Sequence, residues 1–342
     1  MFKKGLLLRQ QVPPDKERIT FNSLEEVDDM WIWLFRGVCQ KLLMEKSEIW
    51  MWNGNGREIF YESWLREVWH NKFPTNNFYP DFIFSRGGFR EYLPVMKANP
   101  NAYKIYYGAI FKKRFNPANI GDNITYNLVL ADSRTQSDEL LRQGYTVHKL
   151  LKPACENIFK PVKSIKYFDV VFIANAKQKA FKGHEWFLRQ MKDTGLRILQ
   201  IGNTDNELIK LASHLGLNIT FTGWVPRRDV PELACSAKVG VCCSTGDSCP
   251  RIVPEMLAMN IPVVVRENSG LHIWNDYFDI GGGCVGAEDD NFVGVLGDVI
   301  KYYDWYGPNL FYHNNLRLEL AVDRLVEDII RSLPTTVGDG CR

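Results

Sequence analysis

The chain has 342 residues, of which 45% are hydrophobic, 13% aromatic and 24% charged. That is a globular composition, long enough for two α/β domains of ordinary size, and it excludes a disordered, collagen-like or coiled-coil chain. Forty-two Lys and Arg against 40 Asp and Glu leave a net charge of +2, too small by itself to argue for a nucleic acid or an anionic membrane. The total hides an asymmetry, because residues 1–162 hold 23 basic and 18 acidic side chains, so the first half is the better suited to an anionic partner.

The eight cysteines, at positions 39, 155, 235, 242, 243, 249, 284 and 341, form no C-x-x-C pair and no zinc-ligand spacing. A reducing compartment fits that usage. Only Gly5 to Leu8 separate the opening Met-Phe-Lys-Lys from Arg9, too short for a signal-peptide core, and no window approaches the ~20 apolar residues of a membrane span. A cytoplasmic protein without a transmembrane segment is expected.

In chain order, Gly5–Leu8 reads as a first strand, Leu24–Met44 as a helix with Trp31, Leu34 and Val38 on one face, and Ile49–Trp52 as a second strand. Residues 53–80 fit neither period; aromatic and polar, with the turn signal Asn53-Gly54-Asn55-Gly56, they read as an insertion or irregular helices. Asp81–Phe84, Tyr103–Tyr107, Leu128–Ala131 and Thr146–Leu150 are further strands. Lys152 to Pro161, bracketed by prolines, reads as a linker. Beyond it, strand runs at Tyr167–Ile173, Arg197–Ile201, Asn218–Phe221, Lys238–Cys242 and Pro262–Val265 alternate with helix-length stretches at His184–Lys192, Glu207–Leu215, Val230–Cys235 and Arg251–Met259. Such alternation implies a parallel sheet covered on both faces. A long amphipathic helix over 316–333 closes the pattern.

The chemistry concentrates in Asp247-Ser248-Cys249-Pro250-Arg251-Ile252-Val253-Pro254-Glu255. A loop leaving a strand, crossing a proline and entering a short helix sits at the carboxyl edge of a parallel sheet, where ligands bind. Its two carboxylates, eight residues apart, can both face a cleft, and backbone N–H groups at the helix start can receive an anion or sugar hydroxyls.

This stretch resembles the E-x7-E motif of retaining glycosyltransferase family 4, E-G-x-P-x-x-x-x-E-A-x-A-x-G-x-P-V-V. Pro250, Glu255, Ala258, Pro262 and Val264 hold their places, while Asp247, Ser248 and Asn260 stand for Glu, Gly and Gly. The run from Ile173 to Gly183 resembles the family's G-R-x-x-x-x-K-G loop, with Lys177 at the Arg position and Lys182 at the Lys. Ile201-Gly202-Asn203 and Phe221-Thr222-Gly223-Trp224-Val225 resemble its paired strand ends. In the first half, Leu130-Ala131-Asp132-Ser133 and Phe159-Lys160-Pro161 match more thinly. Arg9-Gln10-Gln11-Val12-Pro13-Pro14 stands where the family has a glycine pair, for which Gly87-Gly88 is the candidate substitute.

The resemblance implies an α/β protein of GT-B architecture: two Rossmann-like domains with a donor cleft between them, an acceptor domain over 1–160 and a nucleotide-sugar domain over 161–315. The helix over 316–333 would pack back on the first. It implies a retaining hexosyltransferase using a UDP- or GDP-sugar, with no metal and no cofactor beyond the nucleotide-sugar donor, and a glycan or lipid-linked acceptor. Lys177, Lys182 and Asp247 would be catalytic, the lysines stabilising the leaving phosphate and Asp247 holding the donor sugar. Glu255 would take the ribose hydroxyls, and Ser248, Cys249, Pro250, Arg251, Ile252, Gly202, Gly223, Trp224, Val225, Gly87 and Gly88 would line the substrate site.

Three other functions share these features: a glycosyltransferase acting on hydroxylated bases of DNA, a sugar-nucleotide epimerase or hydrolase, and a non-catalytic binding protein of the same fold. The first would use the basic, aromatic first half, where Trp50, Trp52, Trp64 and Trp69 form a stacking platform only if exposed; otherwise they are core. Lys112-Lys113-Arg114 reads as a charged loop with a phosphate role as the alternative. The second would need acid–base groups in the cleft, from His184, His272 or the 81–91 loop, and the two histidines read more simply as structural or surface. Cys242 and Cys243 read as small buried hydrophobes.

Overall fold

The computed structural model describes residues 2–10, 27, 29–52, 58–70, 72–74, 78–87, 92–108, 124–245, 247, 249–267 and 274–333. Their short apolar runs pair as two sheets. The first contains β1 (Lys4–Gln10), β2 (Lys46–Trp52), β3 (Glu58–Glu62), β4 (Leu65–His70), β5 (Phe82–Arg86), β6 (Tyr103–Tyr107), β7 (Leu128–Ala131) and β8 (Val147–Lys149), in the order β3-β4-β2-β1-β5-β6-β7-β8. The second contains β9 (Phe168–Ile173), β10 (Ile198–Ile201), β11 (Ile219–Phe221), β12 (Ala237–Cys242), β13 (Val263–Arg266) and β14 (Cys284–Ala287), in the order β11-β10-β9-β12-β13-β14. Every described pairing is parallel except β3 with β4.

In parallel sheets of this kind both faces are covered, and the alternation of side chains divides the core. Leu7, Ile49, Phe84 and Ile105 point to the face that holds the helix Met30–Lys41, whereas Leu6, Leu8, Trp50 and Ile83 point to the other, with Val95 and Met96 of the helix Leu93–Ala98. In the second sheet, Val170, Phe172, Val239 and Val241 pack with Phe187, Leu208 and Phe292. Strand order reverses between β1 and β5 in one sheet and between β9 and β12 in the other. At such switch points the adjacent loops leave in opposite directions and open a crevice at the carboxyl ends of the strands.

Residues 58–70 correct the reading of that region as an insertion or irregular helices. They form the antiparallel hairpin β3–β4, and β4 continues the first sheet by pairing parallel with β2. The signal was obscured because polar side chains here are buried: Glu48 accepts from Trp50 Nε1 at 2.6 Å and Arg66 Nε at 3.0 Å, and Glu67 accepts from Trp69 Nε1 at 2.7 Å. Trp50 and Trp69 are core residues, with 1% and 3% of their surface exposed. The segment read as a linker is also a packed strap. Leu151, Ala154, Cys155 and Phe159 are buried, Ala154 N–H donates to Tyr312 Oη at 3.0 Å, and Glu156 accepts from Tyr312 Oη at 2.8 Å and Leu318 N–H at 2.7 Å.

The last described helix, Leu318–Ser332, buries Ala321, Val322, Leu325 and Ile329 against the first domain. Asp323 pairs with Lys41 at 2.9 Å, and Asp328 Oδ2 lies 2.7 Å from His148 Nδ1. Gly37 lets the two helices approach, because a Cβ there would lie 2.5 Å from Val322 Cγ2. Gly37→Leu is therefore expected to destabilise the protein by about 1–3 kcal/mol through overpacking, despite its better helix propensity. Adding Val322→Ala should recover part of the loss in urea titrations; strictly additive effects would show that the helices do not meet there.

Candidate functional site

The second switch point gathers the residues singled out in the sequence. Lys177 and Lys182 follow β9, and Asp247 follows β12, its neighbour in the sheet. Lys182 Nζ lies 2.9 Å from Asp247 Oδ2, both partly buried. Two features force this approach. Gly183 adopts φ +72°, and a Cβ there would lie 2.2 Å from the Cys243 carbonyl oxygen, so only glycine fits. Thr245 N–H then donates to the Phe181 carbonyl at 2.7 Å, tying the two loops together. Lys177 is exposed at the rim, its backbone N–H held by Asn175 Oδ1 at 3.0 Å.

Glu255 sits in the first turn of the helix Ile252–Ala258, with only 6% of its surface exposed. Its partner is Arg227, whose guanidinium also stacks over Phe159 at 4.8 Å. Gly202 and Gly223 form an isolated bridge, Gly202 N–H donating to the Gly223 carbonyl at 3.0 Å, which brings the ends of β10 and β11 to the same crevice. Trp224 beside them is 63% exposed and Val225 half-buried. Cys249 and Pro250 are buried, Ile252 half-buried and Arg251 exposed. Ser248, Gly88, His272 and the Lys112-Lys113-Arg114 run lie outside the described residues. Gly87, at φ +87°, donates its N–H to the Tyr107 carbonyl at 2.6 Å, at the end of β5.

Across the crevice, the first switch point presents charge that the sequence reading passed over. Asp29 caps the helix Met30–Lys41, accepting Trp31 N–H at 2.8 Å, and pairs with Arg9 of β1 and, at 3.5 Å, with Arg86 of β5. Burial opposes charge on Asp29, but Arg9, Arg86 and Arg251 together bring its carboxyl down to about 2. Arg251 belongs to the other domain and acts on Asp29 through its charge alone, whereas Arg9 and Arg86 are its ion-pair partners.

A second crossing lies beneath it. Asp132, wholly buried after β7, pairs with Lys152 and accepts Tyr107 Oη at 2.6 Å. Lys152 Nζ reaches the Cys249 carbonyl at 3.4 Å, and Tyr277 Oη donates to the Lys152 carbonyl at 3.2 Å. Burial works against the ammonium of Lys152, yet Asp132 outweighs it and holds the group above its ordinary range. Burial pushes the Cys249 thiol up to about 12, so it is no nucleophile.

Arg227, Asp29, Arg86, Asp132 and Lys152 were missed as site residues. The available signals were slight: Arg227 follows the Gly223–Val225 edge by two residues, and Asp29 precedes an apolar-periodic helix as a capping residue would. His184 is 2% exposed, its ring edge-on to Phe172 at 4.9 Å, which fits its reading as structural. Cys242 and Cys243 are buried. Among the described residues no group of three His, Cys, Asp or Glu is placed to hold a metal ion, and no helix is long and apolar enough to cross a membrane.

Residues 167–290 match the family glycosyl transferases group 1. No curated protein is similar to the chain in sequence. Among solved structures, sucrose-phosphate synthase (tll1590) from Thermosynechococcus elongatus superposes with a TM-score of 0.67 at 10% identity, covering 96% of this chain and 98% of that one. Anabaena Alr3699/HepE in complex with UDP and glucose gives 0.66 at 13% identity, covering 97% and 100%. The lipopolysaccharide outer core galactosyltransferase WaaB gives 0.68 at 15% identity, covering 96% and 100%. The architecture is GT-B, with two Rossmann-like units facing each other.

The depressed Asp29 carboxyl links stability to pH. Its folded-state value of about 2 lies below the ordinary 3.8, so its contribution is present above about pH 4 and is lost as the pH falls through about 2. Asp29→Asn should cost about 2 kcal/mol at pH 7, with the gap to the wild type closing between about pH 4 and 2 in urea titrations. A gap independent of pH would show that Asp29 acts only as a helix cap.

Proposed function

We propose that the protein is a retaining glycosyltransferase that moves a sugar from a UDP- or GDP-linked donor to a hydroxyl of a glycan or lipid-linked acceptor, in the cytoplasm and without a metal ion. The observation that carries this reading is the convergence of Lys182–Asp247 and Arg227–Glu255 on one switch point, inside the segment that matches glycosyl transferases group 1. A nucleoside diphosphate needs what these pairs offer: a carboxylate able to take two ribose hydroxyls, and cations for the phosphates.

In this reading Arg227 orients the Glu255 carboxylate toward the ribose, and Trp224 with the Gly223–Val225 edge meets the base. Cleaving the bond between the anomeric carbon and the phosphate oxygen leaves negative charge on the diphosphate. Lys182 and Lys177 stabilise that charge, the former positioned by Asp247, which also meets the sugar hydroxyls. The acceptor oxygen bonds to the anomeric carbon on the face the phosphate leaves, and its proton passes to the departing phosphate oxygen. No protein nucleophile is needed. Burial of all seven described cysteines, each unpaired, supports a reducing compartment.

The rival readings have less support. Trp50 and Trp69 are core residues and offer no stacking platform for nucleic-acid bases. His184, one acid–base candidate of an epimerase, is packed in the second domain's core.

Calorimetric titration with UDP, GDP, ADP and dTDP tests the proposal, UDP first because HepE is solved with UDP and with UDP-glucose. UDP or GDP should bind, and Glu255→Ala should weaken that binding about tenfold or more, as expected for loss of hydrogen bonds to a charged group. Chelation by EDTA should leave transfer unchanged. Unaltered affinity in a folded Glu255→Ala variant removes the ribose role, and absence of binding by all four nucleotides removes the reading.

A further inference from the structure

A cavity of 230 Å³ opens at the amino-terminal edge of the first sheet, where β2 and β4 begin and β3 turns into β4. Its walls include Lys46, Phe60, Ser63, Trp64 and Arg66, together with the exposed Glu45. The switch-point crevice is at the opposite, carboxyl edge, so the length of β2 puts about 20 Å of sheet between the two places. Phe60 is the register partner of Arg66, and Arg66 that of Glu48, two residues beyond Lys46, so Lys46, Arg66 and Phe60 share one face of the sheet. A bulge between Phe60 and Glu62 re-aims the edge strand at this point. Phe60 keeps 65% of its surface exposed, whereas Trp64 packs partly against the core.

The charged walls are already balanced. Arg66 Nε and Nη2 donate to Glu48 Oε1 at 3.0 and 2.6 Å, and Arg66 Nη1 donates to Glu58 Oε2 at 3.1 Å. Lys46 Nζ lies 3.7 Å from Glu48 Oε1, and Glu45 Oε1 lies 3.9 Å from Lys3 Nζ. A phosphate would meet cations that have their counter-ions, but a neutral polyol meets donors and acceptors side by side. The volume falls below the ~300–1,000 Å³ of drug-sized sites, which suits a ligand of one ring.

We propose that this cavity binds one neutral pyranose unit of a glycan, apart from the crevice. Phe60 lies against the apolar face of the sugar, whose C–H bonds complement the negative face of an aromatic ring. Lys46, Ser63 and Arg66 donate to its hydroxyls, and Glu45 accepts from them. In the glycosyl-transfer reading the site holds a distal unit of a glycan acceptor and tethers its reacting end near the crevice. That role rests on the glycosyl-transfer reading; saccharide binding at the cavity does not.

Saturation-transfer NMR of the full chain with glucose, galactose, mannose and N-acetylglucosamine, each titrated separately, is the direct test. At least one should bind saturably, and Phe60→Ala should weaken that binding about fivefold or more, while Phe60→Trp retains it. Inorganic phosphate should not compete. Phe60→Ala should keep its UDP affinity within about twofold. Circular dichroism checks the fold, which an exposed side chain does little to hold. Absence of binding by all four sugars, binding that Phe60→Ala leaves unchanged, or displacement by phosphate would overturn the proposal. Sugar binding lost in Asp247→Asn but not in Phe60→Ala would place the sugar in the crevice and overturn it as well. If UDP fails to bind while Phe60-dependent sugar binding persists, the glycosyl-transfer reading falls and the saccharide site stands; if UDP binds and no sugar does, the saccharide site alone falls.

Discussion

An ammonium group buried between two sheets is tolerated only beside a counter-charge, and Lys152 with Asp132 supplies that constraint here. Asp132 follows a strand of the first sheet, Lys152 opens the strap that leads to the second, and the Cys249 carbonyl that Lys152 reaches belongs to the Asp247–Glu255 loop. One buried pair therefore fixes where the two halves meet and where the Asp247–Glu255 loop lies. Removing either partner would leave a buried charge uncompensated, at a cost of roughly 3–5 kcal/mol. Tyr107, Tyr277 and Cys249 complete the contact with hydrogen bonds from both domains.

From that meeting point, the charge distribution across the cleft follows. The second sheet brings Lys182, beyond β9, against Asp247, beyond β12, and the first brings arginines from β1 and β5 against Asp29. Each carboxylate holds its cationic partners in fixed positions. An arrangement of this kind is preorganised for anions, and in a low-dielectric crevice preorganised charge is worth more than in water. The apolar second layer, with Phe159 under Arg227 and Trp31 under Arg86, fixes the guanidinium planes.

Much of the second domain was legible because its strands are short, apolar and flanked by helices that begin and end in recognisable ways. Asp205 caps the helix Asn206–His214 by accepting Leu208 N–H at 2.9 Å, and β9, β10, β12 and β13 begin and end within a residue of where their apolar runs predict. The helix Phe292–Lys301, with glycines at 294 and 297, gave no comparable signal, since glycine weakens helix propensity. The hairpin β3–β4 was hidden for a different reason: Glu48 and Glu67 look like surface residues, and only their hydrogen bonds, from Trp50 and Arg66 to the one and from Tyr61 and Trp69 to the other, make their burial tolerable.

The sequence by itself determined the alternating α/β pattern, the loop from Asp247 to Glu255 and the glycine, Gly183, that lets Lys182 approach it, because local propensity and a steric requirement at one backbone position are written in neighbouring residues. Tertiary structure alone decided that Glu255 pairs with Arg227, that Lys152 is a buried ion-pair partner in a packed strap, and that Arg9 and Arg86 converge on Asp29. Those pairings join residues 20 to 57 positions apart. Charge interactions depend on distance in space and on the dielectric around them, and neither exists until two sheets have packed and brought their switch points face to face.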